Sequence, residues 1–330
     1  MTMFPFLKNQ PTYRQKQIQE AVYKQLISDW SEATVLPKDL REILAKEWPL
    51  QPAVEFFGSG RSRKAVITLS DGEVIEAVLI KNADGRHTVC VSCQAGCPLN
   101  CAFCATGKNG FKRDLTAQEI VDQVLIFARE LKASGARVDN VVFMGMGEPF
   151  LNWPAVKSAI EIINGEDGLN IGARSISIST CGLPEGIREL SKFPLQVNLA
   201  LSLHAPTDEL RRELMPIANS YGLDEIWNEL KKYLAIKGRK VMLEYMMIDG
   251  INDSVELADE LTGLVRALPK GLAMVNLIPY NPTGDFQPSD KKQVELFRQR
   301  LQRNGIEAVV RESVGGQIAG ACGQLAGKKK

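Results

Sequence analysis

The stretch Cys97-Pro-Leu-Asn-Cys101-Ala-Phe-Cys104 places three thiols in the spacing Cys-x3-Cys-x2-Cys. Thiols this close together can converge on one inorganic centre, and a set of three leaves one coordination position open. Iron–sulfur sites that only carry electrons are closed by four thiolates and use other spacings. Structural zinc is the alternative, because it prefers four ligands and Cys93 could supply the fourth. We therefore expect either an iron–sulfur cluster with one open iron or a zinc site.

The composition is typical of an intracellular globular protein of about two domains. Among its 330 residues are 40 basic and 39 acidic side chains, so no overall charge indicates a nucleic-acid partner. Five of the seven cysteines lie between positions 90 and 104, which is unlike a secreted disulfide framework and favours a reduced cytosol. Residues 1–8 lack the features of a signal peptide, and no apolar run is long enough to span a membrane. We therefore expect a cytoplasmic protein without membrane contact.

The first 85 residues combine helical patterns with a hairpin pattern. Apolar residues spaced four apart predict a helix over 11–28, and Pro37 predicts the start of a second helix. Asp71-Gly72 between two apolar runs predicts a β-hairpin. From this pattern by itself, Glu76 is interpreted as an exposed carboxylate on an edge strand. The resulting division is a helical accessory domain (1–52), a hairpin linker carrying Glu76 (53–85) and a main domain (86–330).

From residue 86 onward, strand and helix patterns alternate to the end of the chain. Repeated β/α units predict a parallel sheet covered by helices, and about six units are too few for a closed eight-unit barrel. We therefore predict an α/β fold with a partial (β/α)6 barrel. Two of its strands alternate apolar and small polar residues, which places Ser179, Ser202 and His204 on the face opposite the helices. That concave face is expected to line a ligand cavity.

A glycine-rich segment, Gly145-Met-Gly147-Glu148-Pro149, follows the second of the parallel strands. Barrel active sites lie at the C-terminal ends of strands, and glycines allow the backbone to approach a ligand closely. Together with the three thiols, the segment resembles the radical S-adenosylmethionine (SAM) superfamily. In that superfamily three cysteines hold a 4Fe-4S cluster, and SAM chelates the remaining iron.

Further motifs resemble the RlmN/Cfr family of radical SAM adenine RNA methyltransferases, most closely its RlmN branch. The resemblance depends on Cys90 and on the C-terminal Ala321-Cys322-Gly-Gln-Leu325, and it covers nearly the whole chain. It implies that Cys97, Cys101 and Cys104 hold one 4Fe-4S cluster. It also implies the residues that bind SAM, which are Gly147, Glu148, Ser179, Ser202, Leu203, His204 and Asn281.

The resemblance further implies a reaction at carbon 2 of adenine, which is too electron-poor to displace the methyl group of SAM directly. In the family, one SAM methylates a cysteine, here Cys322, and a second SAM generates the radical that activates this methyl group for addition to the ring. Cys90 then releases the product by forming a transient disulfide with Cys322. Glu76 matches the base that accepts the proton from the alkylated carbon.

The implied partners are RNA and a reductant. By resemblance the substrates are an adenine at the peptidyl-transferase centre of 23S rRNA and an adenine beside the tRNA anticodon. An external flavodoxin or ferredoxin system would supply electrons to a monomeric enzyme. Two basic stretches are candidate phosphate contacts, Phe111-Lys112-Arg113 and Arg211-Arg212.

Two other functions are compatible with these residues. A Cfr-type enzyme would methylate carbon 8 of adenine with the same fold and the same thiols. A zinc-organised RNA-binding protein would instead use Cys93, Cys97, Cys101 and Cys104 as ligands. The tail also departs from the common family pattern, because Gln317 and Gly320 replace an acidic residue and an alanine, and the chain stops soon after Gly327.

Overall fold

A computed structural model describes residues 10–284 and 286–327. The N-terminal stretch 1–9, residue 285 and the final lysines 328–330 lie outside the described residues. Within them, ten strands form one mixed sheet and two more form a small separate sheet. In chain order the strands are β1 (Ala53–Phe57), β2 (Ser62–Thr68), β3 (Val74–Lys81), β4 (His87–Cys90), β5 (Gln94–Gly96), β6 (Phe111–Asp114), β7 (Asn140–Phe143), β8 (Ile176–Thr180), β9 (Asn198–Ser202), β10 (Val241–Met247), β11 (Ala273–Pro279) and β12 (Ala308–Val310).

The large sheet has the strand order β1-β2-β3-β4-β7-β8-β9-β10-β11-β12. Strands β1 to β4 pair antiparallel, whereas β4 and β7 to β12 pair in parallel. The parallel part confirms the predicted partial barrel, with the short β12 at its edge. The predicted hairpin is confirmed as β2 and β3. The sequence patterns did not indicate β1, which joins the hairpin to make an antiparallel extension of the barrel sheet.

Helices cover the outer face of the parallel strands. The helix over Ala117–Lys132 begins at a capping box formed by Thr116 and Glu119. No helix of the described ranges is long and apolar enough to cross a membrane. The α-helices are α1 (Thr12–Gln19), α2 (Lys38–Glu47), α3 (Ala105–Lys108), α4 (Ala117–Lys132), α5 (Trp153–Asn164), α6 (Pro184–Lys192), α7 (Asp208–Leu214), α8 (Leu223–Lys237), α9 (Val255–Arg266) and α10 (Lys291–Arg303).

The N-terminal helices pack against the barrel through α4. The helix predicted over 11–28 is confirmed in part: α1 continues directly as a π-helical turn (Glu20–Lys24), and the helix ends at Lys24, four residues earlier than predicted. The second predicted helix is confirmed as α2. Arg129 of α4 donates hydrogen bonds to the carbonyls of Ile27 (2.9 Å) and Leu50 (2.8 Å), which ties the helical region to the main domain.

Strands β8 and β9 alternate as the sequence predicts. Ile178 and Leu201 are fully buried between the sheet and its helices. Ser177, Ser179 and Ser202 instead line cavities on the concave face. The period-2 pattern therefore places the polar side chains of both strands on the inside of the barrel.

Candidate active site

Two cavities occupy the concave face of the barrel. The strand-end cavity, of about 130 Å³, lies beyond the C-terminal ends of the parallel strands, and the lumen cavity, of about 490 Å³, extends along the inside of the sheet. Because Cys322 and Arg311 line both cavities, they stand at the boundary between them. The strand-end cavity is lined by Cys97, Cys101, Cys104, Gly147, Glu148, Ser179, Ser202 and His204, among others.

The three predicted ligand thiols all reach the strand-end cavity because the loop after β4 is tightly folded. The small β5–β6 sheet forms its base, where the Cys97 N–H donates to the Gly110 carbonyl at 3.1 Å. Gly96 is needed there, because a Cβ would lie 1.9 Å from the Gly110 carbonyl oxygen. Gly107 is needed likewise, since a Cβ would lie 2.7 Å from Asn100 Cα. The loop can therefore present its thiols only with glycine at these two positions.

Two of these thiols, Cys97 and Cys104, are buried deeply enough to stay protonated when no metal is bound. Burial raises the pKa of Cys97 to about 12 and raises the pKa of Cys104 as well. Metal binding must therefore displace protons from the thiols. Across residues 10–284 and 286–327, no three His, Cys, Asp or Glu side chains converge closely enough to hold a single metal ion. A multi-iron cluster binds each thiolate at a different iron, so its ligands need not meet at one point.

Cys93 does not join the other thiols. Its Sγ donates to the Met146 carbonyl at 3.6 Å, and its backbone N–H donates to the same carbonyl at 2.9 Å. The side chain is buried and lines neither described cavity. The four-cysteine zinc set is therefore not assembled, because Cys93 packs toward the segment after β7 and away from the strand-end cavity.

Glu148 is a rigid, buried acceptor in the wall of the strand-end cavity. Its Oε2 accepts from the Cys181 N–H at 2.8 Å, and its Oε1 accepts from the Phe150 N–H at 3.1 Å. Burial raises the pKa of Glu148, and the two N–H groups oppose that rise. Gly147 adopts φ of 101°, and a Cβ there would lie 2.6 Å from Gln94. The glycine is thus required by packing against β5 in addition to any approach by a ligand.

Ser179, Ser202 and His204 meet in the same cavity, as their alternation predicts. The two hydroxyl oxygens are 3.3 Å apart. His204 Nδ1 accepts from the Met246 N–H at 3.1 Å, so the proton of the neutral ring is on Nε2. Burial, together with the charge of Arg211, lowers the pKa of His204 to about 3. Leu203 lies between them with its side chain buried on the helix side.

Lowering the pH should decrease the free energy of unfolding more steeply in the wild-type protein than in a variant that lacks His204. The pKa of His204 is about 3 in the folded protein and about 6.5 in an unfolded chain, so between these values only the unfolded chain binds the proton. As the pH is lowered through this window, the free energy of unfolding therefore decreases, by up to about 1.4 kcal/mol per pH unit. His204→Asn, which suits the φ of 58° and keeps an acceptor for Met246, should reduce this slope in urea unfolding of the reduced protein. Parallel slopes for the two proteins would contradict the neutral buried ring.

Sequence reasoning missed three titratable residues of the strand-end cavity. Cys181 lines it beside Cys101, and Glu244 enters it from β10. Glu244 Oε1 accepts from Asn276 at 3.0 Å, but Oε2 is buried without a hydrogen bond. Period-2 alternation along β8 and β10 could have indicated both residues. No sequence signal pointed to the third, Arg311, which follows the three-residue β12.

Cys90 and Cys322 share the lumen cavity as free thiols. Burial is the main reason that the pKa of Cys90 rises to about 12, and the nearby charge of Cys322 adds to the rise. Cys90 ends β4, whereas Cys322 belongs to the C-terminal tail, so only the folded chain brings the two thiols together. The structure thus places both thiols that the resemblance singled out in one cavity.

The loop that follows Cys104 holds the tail bearing Cys322. The Ala105 N–H donates to the Gly323 carbonyl at 2.7 Å, and Thr106 Oγ1 donates to the Leu325 carbonyl at 2.6 Å. From the other side, Asn281 Nδ2 donates to the Cys322 carbonyl at 3.4 Å. Asn281 lines the lumen cavity and not the strand-end cavity, so its predicted contact with SAM stays a prediction.

Glu76 is buried on the inner face, and its interpretation as an exposed edge-strand carboxylate is wrong. Strand β3 lies between β2 and β4, and only 2% of Glu76 is exposed. Glu76 shares a face with Val78, whose cross-strand partner is Cys90. Its Oε1 lies 3.4 Å from Lys64 Nζ, and its Oε2 accepts from the Ala326 N–H at 3.2 Å. The carboxylate therefore lies near both the thiol end of β4 and the tail.

The predicted phosphate contacts are only partly available. Arg211 is fully buried and donates to the Cys181 carbonyl at 2.5 Å, so its prediction as an RNA contact is wrong. Helix α7 directs it inward to stabilise the end of β8. The guanidinium of Arg113 forms salt bridges with Asp71 (2.5 Å) and Glu119 (2.7 Å). Lys112 of the same stretch is exposed and stays a candidate.

Fold and site together define a radical SAM enzyme. Residues 91–261 match the family model of the Radical SAM superfamily. A crystal structure of a radical SAM methyltransferase from Sphaerobacter thermophilus superposes with a TM-score of 0.93 and 44% sequence identity, covering 96% of this chain and 94% of that one. Curated relatives agree along almost the whole chain. A probable dual-specificity RNA methyltransferase RlmN from Dictyoglomus thermophilum is 43% identical (96% of this chain, 91% of the relative), and one from Microcystis aeruginosa is 42% identical (96% and 93%).

The chain belongs to the RlmN family of radical SAM RNA methyltransferases. The non-enzymatic zinc-binding alternative is therefore wrong, as the position of Cys93 already indicated. The family implies a 4Fe-4S cluster and SAM, and the residues present fit both groups. The three thiols of one loop, Cys97, Cys101 and Cys104, reach one cavity, which Cys93 does not line. The same cavity contains the buried Glu244 Oε2, which has an unused acceptor site for a polar ligand.

Proposed function

We propose that the protein methylates carbon 2 of an adenine in RNA and that Cys322 carries the methyl group. The main support is the position of Cys322 at the boundary of the two cavities. A thiol that takes a methyl group from a cofactor and delivers it to a substrate needs access to both. The identity of the curated relatives favours carbon 2 over the Cfr-type reaction at carbon 8.

In this proposal the strand-end cavity receives the cofactors, which supply the radical chemistry that an electron-poor ring carbon requires. Cys97, Cys101 and Cys104 would bind the cluster. Ser179 and Ser202 offer hydroxyl groups toward SAM, and neutral His204 offers its Nε2–H. Gly147 and Glu148 line the same cavity and complete the proposed SAM site. The resemblance adds Leu203, whose side chain is buried on the helix side, and Asn281, which lines the lumen cavity.

The lumen cavity would receive the adenine, which must be unpaired or extruded from an RNA helix to enter. Cys90 shares this cavity with Cys322, and we assign it the release of product by disulfide formation. Glu76 is proposed as the acceptor of the ring proton. Glu76 lines neither cavity, and its Oε2 accepts from the Ala326 N–H of the tail, so this role requires the tail to shift and open a path from Glu76 to the lumen cavity.

The proposed substrates are 23S rRNA and tRNA in the cytoplasm, with two SAM molecules used per turnover by a monomer. A flavodoxin or ferredoxin system would reduce the cluster. We also propose the division into a helical accessory domain (1–52), a hairpin linker (53–85) and a barrel domain with the tail (86–330).

Mass spectrometry of RNA nucleosides tests the function directly. The protein is reconstituted anaerobically with iron and sulfide and then incubated with SAM, a reductant and unmodified 23S rRNA or tRNA. We expect 2-methyladenosine. Detection of 8-methyladenosine would assign the Cfr-type reaction, and unmodified RNA despite SAM cleavage would contradict the proposal.

Glu76→Gln should lower the rate of RNA methylation by roughly 100-fold or more, because a general base is lost. Methylation of Cys322 and cleavage of SAM should persist, since proton removal follows both. A covalent protein–RNA adduct should therefore build up on denaturing gels. Glutamine keeps an acceptor for the Ala326 N–H but leaves Lys64 without its buried anion, which should cost about 3 kcal/mol of stability.

Glu55→Gln is the matched control, because Glu55 is an exposed carboxylate on the edge strand β1. It should change neither the rate nor the stability appreciably. Both variants are assayed well below their melting temperatures. A wild-type rate of RNA methylation in the folded Glu76→Gln protein would exclude Glu76 as the base.

A further inference from the structure

Arg311 directs its guanidinium into the centre of the barrel. Its backbone N–H donates to the Leu277 carbonyl at 2.8 Å, which fixes the residue beside β11. The side chain lines both cavities, with Nη1 3.8 Å from Met144 Sδ and 4.0 Å from Glu244 Oε2. Within residues 10–284 and 286–327, the contact with Met144 is the one hydrogen bond that the guanidinium makes. Most of its donors are therefore available to another anion.

Arg311 differs from the other charged groups around Cys322, which are carboxylates or arginines that are paired or lie at the opposite end of the lumen cavity. Glu148 and Glu244 line the strand-end cavity, and their carboxylates disfavour a thiolate there. Of the other arginines that line the lumen cavity, Arg61 is paired with Glu312 and Arg86 with Asp84, and Arg174 precedes β8 at the opposite end. Among the described residues, Arg311 is the one Lys or Arg side chain that lines the strand-end cavity.

We propose that Arg311 is a positioning residue that stabilises the thiolate of Cys322. The titratable groups that face its guanidinium are the Cys322 thiol, the Glu244 carboxyl group and the Cys90 thiol. The role rests on the proposed function, in which Cys322 attacks the methyl carbon of SAM. In that step the thiol first loses its proton to solvent. The S–CH3 bond to Cys322 then forms while the sulfonium bond breaks, leaving two neutral thioethers.

This assignment gives Arg311 two successive partners. Before methyl transfer its charge is balanced by the Cys322 thiolate. After transfer Cys322 is neutral, and the nearest anion is Glu244, whose Oε2 has no other hydrogen bond. Methylation of Cys322 should therefore strengthen the pairing of Arg311 with Glu244.

The pH dependence of Cys322 alkylation tests the electrostatic role without cofactors. Reduced, cluster-free protein is treated with iodoacetamide from pH 6 to 10, and the Cys322 peptide is quantified by mass spectrometry. Arg311→Met should raise the midpoint by about one pH unit or more, whereas Arg311→Lys should restore most of the shift. Glu244→Gln should lower the midpoint, and Arg174→Met, the control, should leave it unchanged. An unchanged midpoint in folded Arg311→Met, or in Glu244→Gln should the former not fold, would overturn the proposal.

Methyl transfer to Cys322 is measured separately in reconstituted protein. At neutral pH, Arg311→Met should transfer the methyl group several-fold more slowly, and the defect should shrink as the pH rises, because a higher pH restores the thiolate. A defect that is constant with pH would overturn the positioning role. Absence of methyl transfer in the wild-type protein, with the alkylation shift intact, would instead contradict the proposed function.

Discussion

Cys101→Ala protein should bind almost no iron or sulfide and should produce no 5′-deoxyadenosine from SAM. The same total loss is expected for Cys97→Ala and Cys104→Ala, because each of these thiols lines the strand-end cavity and is one of the three proposed to hold the cluster. Iron and sulfide analysis after anaerobic reconstitution measures the first effect. Chromatography of the SAM products measures the second.

Cys93→Ala and Cys181→Ala are the matched controls. Cys93 is a buried thiol outside both cavities, and Cys181 lies in the strand-end cavity beside Cys101. Both variants should retain iron and sulfide. Loss of the cluster in Cys181→Ala would make that residue a ligand, and a wild-type protein with stoichiometric zinc and no sulfide would refute the cluster assignment.

Cys90→Ala should stop the reaction after the carbon–carbon bond has formed, with the RNA attached to the protein through Cys322. Cys90 is the thiol that shares the lumen cavity with Cys322, and without it no disulfide can displace the thioether. We expect at most one turnover per protein and an adduct that survives denaturation. Gel electrophoresis with labelled RNA detects the adduct, and peptide mass spectrometry locates the attachment.

Adding Cys322→Ala to Cys90→Ala should abolish the adduct, because the residue that forms the attachment is then absent. Cys93→Ala alone should turn over normally. Multiple turnovers by Cys90→Ala would remove Cys90 from the mechanism. An adduct that persists equally in wild-type protein would show that the two thiols do not form the disulfide.

The proposed cluster site and the methyl-carrying tail are mechanically linked. Residues 105 and 106 follow the last cluster thiol and donate hydrogen bonds to the carbonyls of Gly323 and Leu325. Disorder in this loop would therefore also release the tail. Variants of the cluster thiols should accordingly be tested for methylation of Cys322 as well as for SAM cleavage.

Local patterns were enough for the barrel, the thiol loop and part of the cofactor cavity. Each of these depends on residues that are close in sequence. The spacing of Cys97, Cys101 and Cys104 brings the thiols together within one loop, and period-2 alternation directs Ser179 and Ser202 to the concave face in any sheet whose other face is covered by helices. The N-terminal helix was predicted less well, because its π-helical turn (Glu20–Lys24) has no periodic signal.

Long-range strand pairing and the course of the tail decided the positions of the site residues that local patterns did not predict. Glu76 seemed exposed in the hairpin pattern, but pairing of β3 with β4 buries it next to residues that are 250 positions away, such as Ala326. The sequence predicted Arg211 as a surface cation, but in the folded chain α7 directs its side chain toward Cys181. Arg311 meets Cys90, Glu244 and Cys322 only because β4, β10 and the segment after β12 converge inside one barrel. Contacts between segments that are distant in sequence produce no periodic pattern in either segment, so only the folded structure reveals them.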